Sequence, residues 1–185
     1  MFEEILAKLG KSLHDHRVPY MIIGGQAVLI YGEPRLTRDI DVTLGLEPSR
    51  AYEVLSLVRE LALLPLPDNP LAFVEKTMVL PTLDDRTGIR VDFIFSFTPY
   101  EREAIARGRN VTIGGQEVCF ASPEDLVIHK VFAGRPRDLE DVRSILLKNR
   151  DIDIGHIRAW LKDFDSASDD KNFLATFEAI LKEML

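Results

Sequence analysis

At 185 residues, 46% apolar and 29% charged, the chain has the composition of an ordinary globular protein long enough to bury a sizeable core. Its net charge of −7 argues against broad, non-specific binding to nucleic acid, which depends on Lys and Arg neutralising phosphates. The single cysteine, Cys119, excludes an internal disulfide and a multi-cysteine zinc site; with no signal-peptide pattern and no long apolar run, the cytoplasm is the expected location, with no membrane partner.

In chain order, the apolar stripe Phe2, Ile5, Leu6, Leu9 and Leu13 predicts an N-terminal helix to about His16. A short strand is predicted at Tyr20–Ile23, then a helix led by Gly24 and Gly25 and ending near Tyr31. After the loop Gly32-Glu33-Pro34-Arg35 the pattern predicts a strand over Arg38–Leu44 and, from Pro48 and Ser49, a helix to about Leu61. Leu64–Asn69, carrying Pro65 and Pro67, reads as a loop. Two strands, Thr77–Thr82 and Ile89–Ser96, flank a turn at Asp84–Gly88. A helix at Tyr100–Arg107 follows, then strands on either side of Gly114-Gly115.

From Ser122 onward the pattern is helical. Ser122-Pro123-Glu124-Asp125 supplies a cap, a proline at the first helical position and first-turn acids, and Pro136 opens the next helix in the same way. Two amphipathic segments close the chain, one carrying Ile154, Ile157, Trp160, Leu161 and Phe164, the other Phe173, Phe177, Ile180 and Leu181. The expected fold class is α+β: a small mixed sheet flanked by helices over residues 1–121, followed by a helical region over residues 122–185.

Two patterns in the first part point to chemistry. Asp39 and Asp41 alternate with apolar Ile40 and Val42, so in a strand both carboxylates leave one face, their Cα atoms about 7 Å apart. Asp92 lies in another apolar run, Ile89–Phe95; if its strand lies beside the first, three carboxylates meet at one edge. Two like charges about 4 Å apart repel by about 4 kcal/mol at an effective dielectric near 20. A cluster of three therefore calls for a divalent metal, a shifted pKa or a different geometry. A D-x-D pair by itself also occurs in turns, helix caps and sugar-nucleotide enzymes; the last would need a larger nucleotide-binding region ahead of Asp39.

Gly24-Gly25 is the second pattern. Followed by Ala27, Ile30 and Tyr31 at helical spacing, it places a glycine pair between a strand and a helix N-terminus, where backbone N–H groups can meet an anion. Gly114-Gly115, with strand-like runs on both sides, reads instead as a two-residue hairpin turn.

Other residues are open to two readings. Lys130 shares a helix face with Leu126 and Ala133 and is either a phosphate contact or a surface lysine lying on its apolar stem. Asp138 and Asp141 share a helix face near its start, where the helix dipole favours acids whatever their function. Arg35 and Arg38 lie between the glycine pair and the acids, as exposed charge or phosphate contacts. Arg135, Arg137, Arg143, Lys148 and Arg150 form a solvated helix face or a local basic groove. No histidine has a sequence neighbour at the spacing of a metal pair or a triad.

Gly24-Gly25-Gln26-Ala27, then Thr37-Arg38-Asp39-Ile40-Asp41, then Asp92 resembles the nucleotidyltransferase superfamily of the DNA polymerase beta type. Within it the chain is similar to the small bacterial enzymes related to minimal nucleotidyltransferases and AbiE-type toxins. Lys130 followed by Arg137-Asp138-Leu139-Glu140-Asp141 is similar to that group's later motif. The resemblance covers roughly residues 18–146.

It implies a nucleotidyltransferase that moves a nucleoside monophosphate from a nucleoside triphosphate to a hydroxyl and releases pyrophosphate. Asp39, Asp41 and Asp92 would be its catalytic acids, holding two Mg²⁺ ions, with Asp92 helping to deprotonate the acceptor. Gly24 and Gly25 would hold the outer phosphates, Lys130 would reach the triphosphate, and Asp138 and Asp141 would orient it or contact the acceptor. The acceptor could be RNA, a protein side chain or a small molecule, and an antitoxin or second subunit could accompany the chain. The alternative is a nucleotide-binding regulatory or toxin–antitoxin module on the same fold without turnover.

Overall fold

The computed structural model describes residues 1–96, 98–168 and 172–184, and these form two compact units: Met1–Gln26 with Leu36–Ala121, and Ala27–Arg35 with Ser122–Leu185. The first unit opens with α1 (Phe2–Asp15), whose stripe Ile5, Leu6, Leu9 and Leu13 is buried as its spacing predicts. β1 (Tyr20–Ile23) then runs directly into α2 (Gly24–Tyr31), which begins in the first unit and continues in the second. β2 (Asp39–Leu44), a short 3-10 turn at Pro48–Arg50 and α3 (Ala51–Glu60) follow. The unit is completed by β3 (Leu64–Pro65), α4 (Pro70–Thr77), β4 (Val79–Asp84), β5 (Ile89–Phe95), α5 (Pro99–Ala106), β6 (Arg109–Ile113) and β7 (Gln116–Phe120).

The strands make one mixed sheet in the order β3-β4-β5-β2-β1-β7-β6. β2–β5 and β1–β7 are parallel and the other pairings antiparallel. The central strands bury β-branched and aromatic residues: Ile22, Ile40, Val42, Val91, Phe93, Val118 and Phe120 are all fully enclosed. Burying a side chain of this size stabilises by about 1.5–3 kcal/mol, so these strands are the anchor of the first unit. β6 and β7 form the hairpin expected from Gly114-Gly115. Ile113 pairs with Gln116, and the glycines have φ of 56° and 78°, the left-handed pair that a tight hairpin requires.

Three elements differ from the sequence expectation. The predicted loop over Leu64–Asn69 contains β3, an edge strand in which Pro65 needs no ladder donor. Between it and β4 lies α4, a helix that the apolar spacing does not announce because only Val74 is buried while Leu71 and Phe73 are exposed. Its start is chemical rather than hydrophobic: the Asn69 side chain accepts from the Ala72 N–H at 3.2 Å, and Pro70 occupies the first turn. α4 takes Thr77, so β4 begins two residues later than expected and runs on to Asp84.

The second unit combines the rest of α2 with α6 (Pro123–Ala133), α7 (Pro136–Lys148), α8 (Ile154–Ser166) and α9 (Phe173–Glu183). Val28, Leu126, Val127, Ile128, Val142, Ile145, Ile157, Leu161 and Phe177 form its core. The helix starts are satisfied locally. Ser122 Oγ accepts from the Asp125 N–H at 3.1 Å, Asp153 accepts from the His156 N–H at 2.9 Å, and Asp165 accepts from the N–H groups of Phe173 and Leu174 at 2.6 and 3.1 Å. Among the described residues no helix is long and apolar enough to cross a membrane.

Candidate active site

Asp39 and Asp41 stand at the start of β2, separated by buried Ile40, so alternation sends both carboxylates to one sheet face. β5 lies beside β2 in parallel, with Asp41 opposite Asp92 and Asp39 opposite Arg90. Residues paired in register share a face, and adjacent strands are about 4.8 Å apart. Asp39, Asp41 and Asp92 therefore project from the same side of neighbouring strands, with Arg90 as the fourth corner. All three acids are half-buried.

Each of two acids has a defined partner. Arg90 Nη2 donates to both oxygens of Asp92, at 3.1 and 2.9 Å. Thr37 Oγ1 donates to Asp39 Oδ1 at 3.0 Å, and the buried Gln26 side chain donates to the Asp39 carbonyl at 3.4 Å. Arg90 and Thr37 thus answer part of the repulsion that the acid pattern implies. Arg90 escaped the sequence reading although the signal was present: an Arg two residues before an Asp in a strand shares its face.

The glycine pair is locked to this face through β1. Ile23, the last residue of β1, pairs with Asp41, and Gly24 follows at φ +65°. A β-carbon on Gly24 would lie 1.9 Å from Asp41 Oδ2. Glycine is needed there twice over, for the left-handed backbone and for the space the carboxylate occupies. The strand–glycine–helix sequence thus brings a helix start alongside Asp41. Hard oxygen donors, two of them on one rung, fit Mg²⁺, which is bound through one or two carboxylates and keeps several waters. Among the described residues no three His, Cys, Asp or Glu side chains are already drawn together as a closed ligand cage.

Lys130, Asp138 and Asp141 come together inside the second unit. Lys130 is buried rather than lying at the surface, and its Nζ stands 2.8 Å from carboxylate oxygens of both Asp138 and Asp141. Arg35 grips Asp141 through two bonds of 2.9 Å, and Arg135 Nε donates to Asp138 at 2.6 Å. Burial would raise the Asp138 carboxyl, but the hydrogen bonds from Arg135 and Lys130 outweigh it and hold it below the usual carboxylate range. The basic residues of α7 are likewise drawn into pairs: Arg143 with Glu183 and Lys148 with Glu33.

Among the described residues two histidines face carboxylates distant in sequence, and His16 Nε2 lies 3.4 Å from Glu60. His156 Nε2 faces the fully buried Asp125 across 3.9 Å, a partner invisible to sequence spacing. Ser122 Oγ donates to the same carboxylate at 2.7 Å. The hydroxyl is spent on the acid rather than on an imidazole, so this is not the order of a nucleophile and its base. Burial pushes His129 down to about 4, keeping it neutral. Burial likewise pushes the Cys119 thiol up, which disfavours the nucleophilic thiolate.

Solved structures of similar fold include the antibiotic-resistance factor ANT(2'')-Ia in solution, at 15% identity over 89% of this chain and 91% of that chain, with a TM-score of 0.60. The lincosamide antibiotic adenylyltransferase LnuA, lincomycin-bound, matches at 12% identity over 77% and 94% of the two chains, with a TM-score of 0.54. A putative nucleotidyltransferase from Thermotoga maritima matches at 17% identity over 78% and 92%, with a TM-score of 0.51. No curated protein matches the sequence. A family model, Nucleotidyltransferase of unknown function (DUF6036), matches residues 1–184, and the chain therefore belongs to that nucleotidyltransferase family.

Proposed function

We propose that the chain transfers a nucleoside monophosphate from a nucleoside triphosphate to a hydroxyl acceptor, and that Asp39, Asp41, Asp92 and the Gly24–Gly25 turn do the work. The observation that carries this reading is the shared rung of Asp41 and Asp92, with Gly24 packed against the Asp41 carboxylate. The acceptor oxygen attacks the α-phosphorus, the bond to the bridging oxygen of the β-phosphate breaks, and pyrophosphate leaves. Asp92 takes up the hydroxyl proton. Gly24 and Gly25, lacking side chains, let the outer phosphates approach the start of α2. Asp39, Asp41 and Asp92 would hold two Mg²⁺ ions, which supply charge neutralisation on the attacking and leaving oxygens.

Lys130 pairs with Asp138 and Asp141 inside the second unit; its role as a triphosphate contact stays a separate proposal, and the transfer chemistry above is drawn from residues of the first unit. The motif wording around Gly24 and Asp39 supports a place near the minimal nucleotidyltransferases and AbiE-type toxins, for which an antitoxin or second subunit would be a partner. Small hydroxylated molecules enter the acceptor set because one structure of similar fold is ANT(2")-Ia in complex with adenylyl-2"-tobramycin.

The test is incubation with α-labelled triphosphates and Mg²⁺ in three arms: total RNA, lysate protein, and hydroxylated small molecules including tobramycin and lincomycin. Label is expected in one arm and not with Asp41→Ala. Transfer that survives Asp41→Ala overturns the site assignment. Metal-independent triphosphate binding with no labelled product favours the non-catalytic module instead.

A further inference from the structure

We propose that Arg90 is a resident counter-cation that competes with a divalent ion for Asp92, and so sets how tightly the acidic face holds metal; this rests on the reading of Asp39, Asp41 and Asp92 given above. Three features of the first unit carry it. Arg90 shares the face of Asp92 on β5 and stands in register with Asp39 on β2, so its charge sits among the acids rather than beside them. Its guanidinium binds both Asp92 oxygens, at 2.9 and 3.1 Å, and so covers lone pairs that a cation would use.

The third feature is exposure. The Arg90 side chain is 53% exposed and the Asp92 side chain 18%. A half-exposed ion pair is weak, because water and salt can replace the cation at little cost. Lys130 shows the contrast within the same chain: at 7% exposed and 2.8 Å from two carboxylates, it is fixed in place. Arg90 is thus a partner that the site can exchange. It steadies the acids against one another while it is bound, and it leaves without opening the core. Coupling of this kind is reciprocal: a cation on Asp92 loosens Arg90 by the factor by which Arg90 weakens the cation. Arg90 acts here as a positioning residue, not a catalytic one.

The experiment is direct titration of the full chain with Mn²⁺, free ion being counted by electron paramagnetic resonance, for the wild type, R90Q, R90K and D92N. R90Q is expected to bind Mn²⁺ about fivefold more tightly, the scale of one partly exposed charge contact. Its Mn²⁺-induced rise in melting temperature should also exceed that of the wild type. R90K keeps the charge but not the planar guanidinium that reaches both Asp92 oxygens and is expected to tighten binding about twofold. Unchanged or weaker Mn²⁺ binding in folded R90Q overturns the proposal; if R90Q does not fold, the same outcome in R90K does so. D92N separates the two levels of inference. Loss of binding in D92N with no change in R90Q removes the role of Arg90 and leaves the site standing. Binding in D92N equal to wild type removes Asp92 from the metal site and overturns the proposal with it.

Discussion

Asp41 Oδ2 occupies the space that a β-carbon on Gly24 would need, with only 1.9 Å between them. The contact ties the glycine turn between β1 and α2 to the acidic face of β2. It also makes Gly24 different in kind from Gly115, which has φ +78° but open space around it.

Gly24→Ala and Gly115→Ala therefore separate backbone strain from the Asp41 contact. Each should lose about 1–2 kcal/mol from holding an L-residue in the left-handed region. Gly24→Ala alone should also displace Asp41 and lower Mn²⁺ affinity severalfold. Urea unfolding combined with Mn²⁺ titration of both variants checks this; equal Mn²⁺ affinity would show that the Asp41 carboxylate does not depend on the glycine.

Asp41→Asn and Asp92→Asn should reduce nucleotide transfer about a hundredfold or more, equivalent to roughly 2.7 kcal/mol of lost transition-state stabilisation. Stability should change little. Asp41→Asn removes repulsion between neighbouring carboxylates, and the Arg90–Asp92 ion pair that Asp92→Asn breaks is half-exposed on the arginine side and weak. Label transfer alongside thermal melting tests the pair of statements. A fall in activity that merely follows a fall in melting temperature would assign the acids a structural role.

Lys130→Met should destabilise the second unit by about 3 kcal/mol, because it leaves Asp138 and Asp141 buried with one cation fewer. Adding Asp138→Asn to Lys130→Met should recover part of that loss, which denaturant midpoints at constant m would reveal. Independent, additive losses would mean that the lysine and Asp138 are not coupled.

Acid should weaken the fold in two stages. His129 has a folded pKa near 4 against 6.5 when free, so between those values the unfolded chain binds the extra proton. Stability thus falls as pH drops from 6.5 towards 4, by on the order of 3 kcal/mol in all. Asp138, held below its ordinary 3.8 despite burial by Arg135 and Lys130, adds a further loss only below that pH. Unfolding free energies at pH 7, 5.5 and 4.5 should show the first slope, and His129→Gln should flatten it.

Much of the fold is legible because its signals are local. The α1 stripe, the Ser122 cap and the Gly114-Gly115 hairpin each specify their conformation within a few residues, and each is found where its spacing predicts. α4 shows the limit: Asn69 and Pro70 announce a helix start, but with Leu71 and Phe73 exposed there is no apolar stripe to confirm it. β3 is hidden for a different reason, since two residues including a proline become a strand only when an edge is offered to them.

The site divides along the same line. That Asp39 and Asp41 leave one face follows from alternation alone, and a glycine pair before a helical pattern follows from backbone sterics. Neither rule says that β5 docks beside β2, skipping β3 and β4, nor that the register sets Asp92 against Asp41 and not one residue away. Parallel register is decided by packing Val91 and Phe93 together with Ile40 and Val42 in one core, a non-local choice. The same is true of charge. Composition counts Lys130 and Arg35 as free cations; only the folded chain, by bringing Asp138 and Asp141 to them and paying their desolvation with short ion pairs, converts them into internal partners.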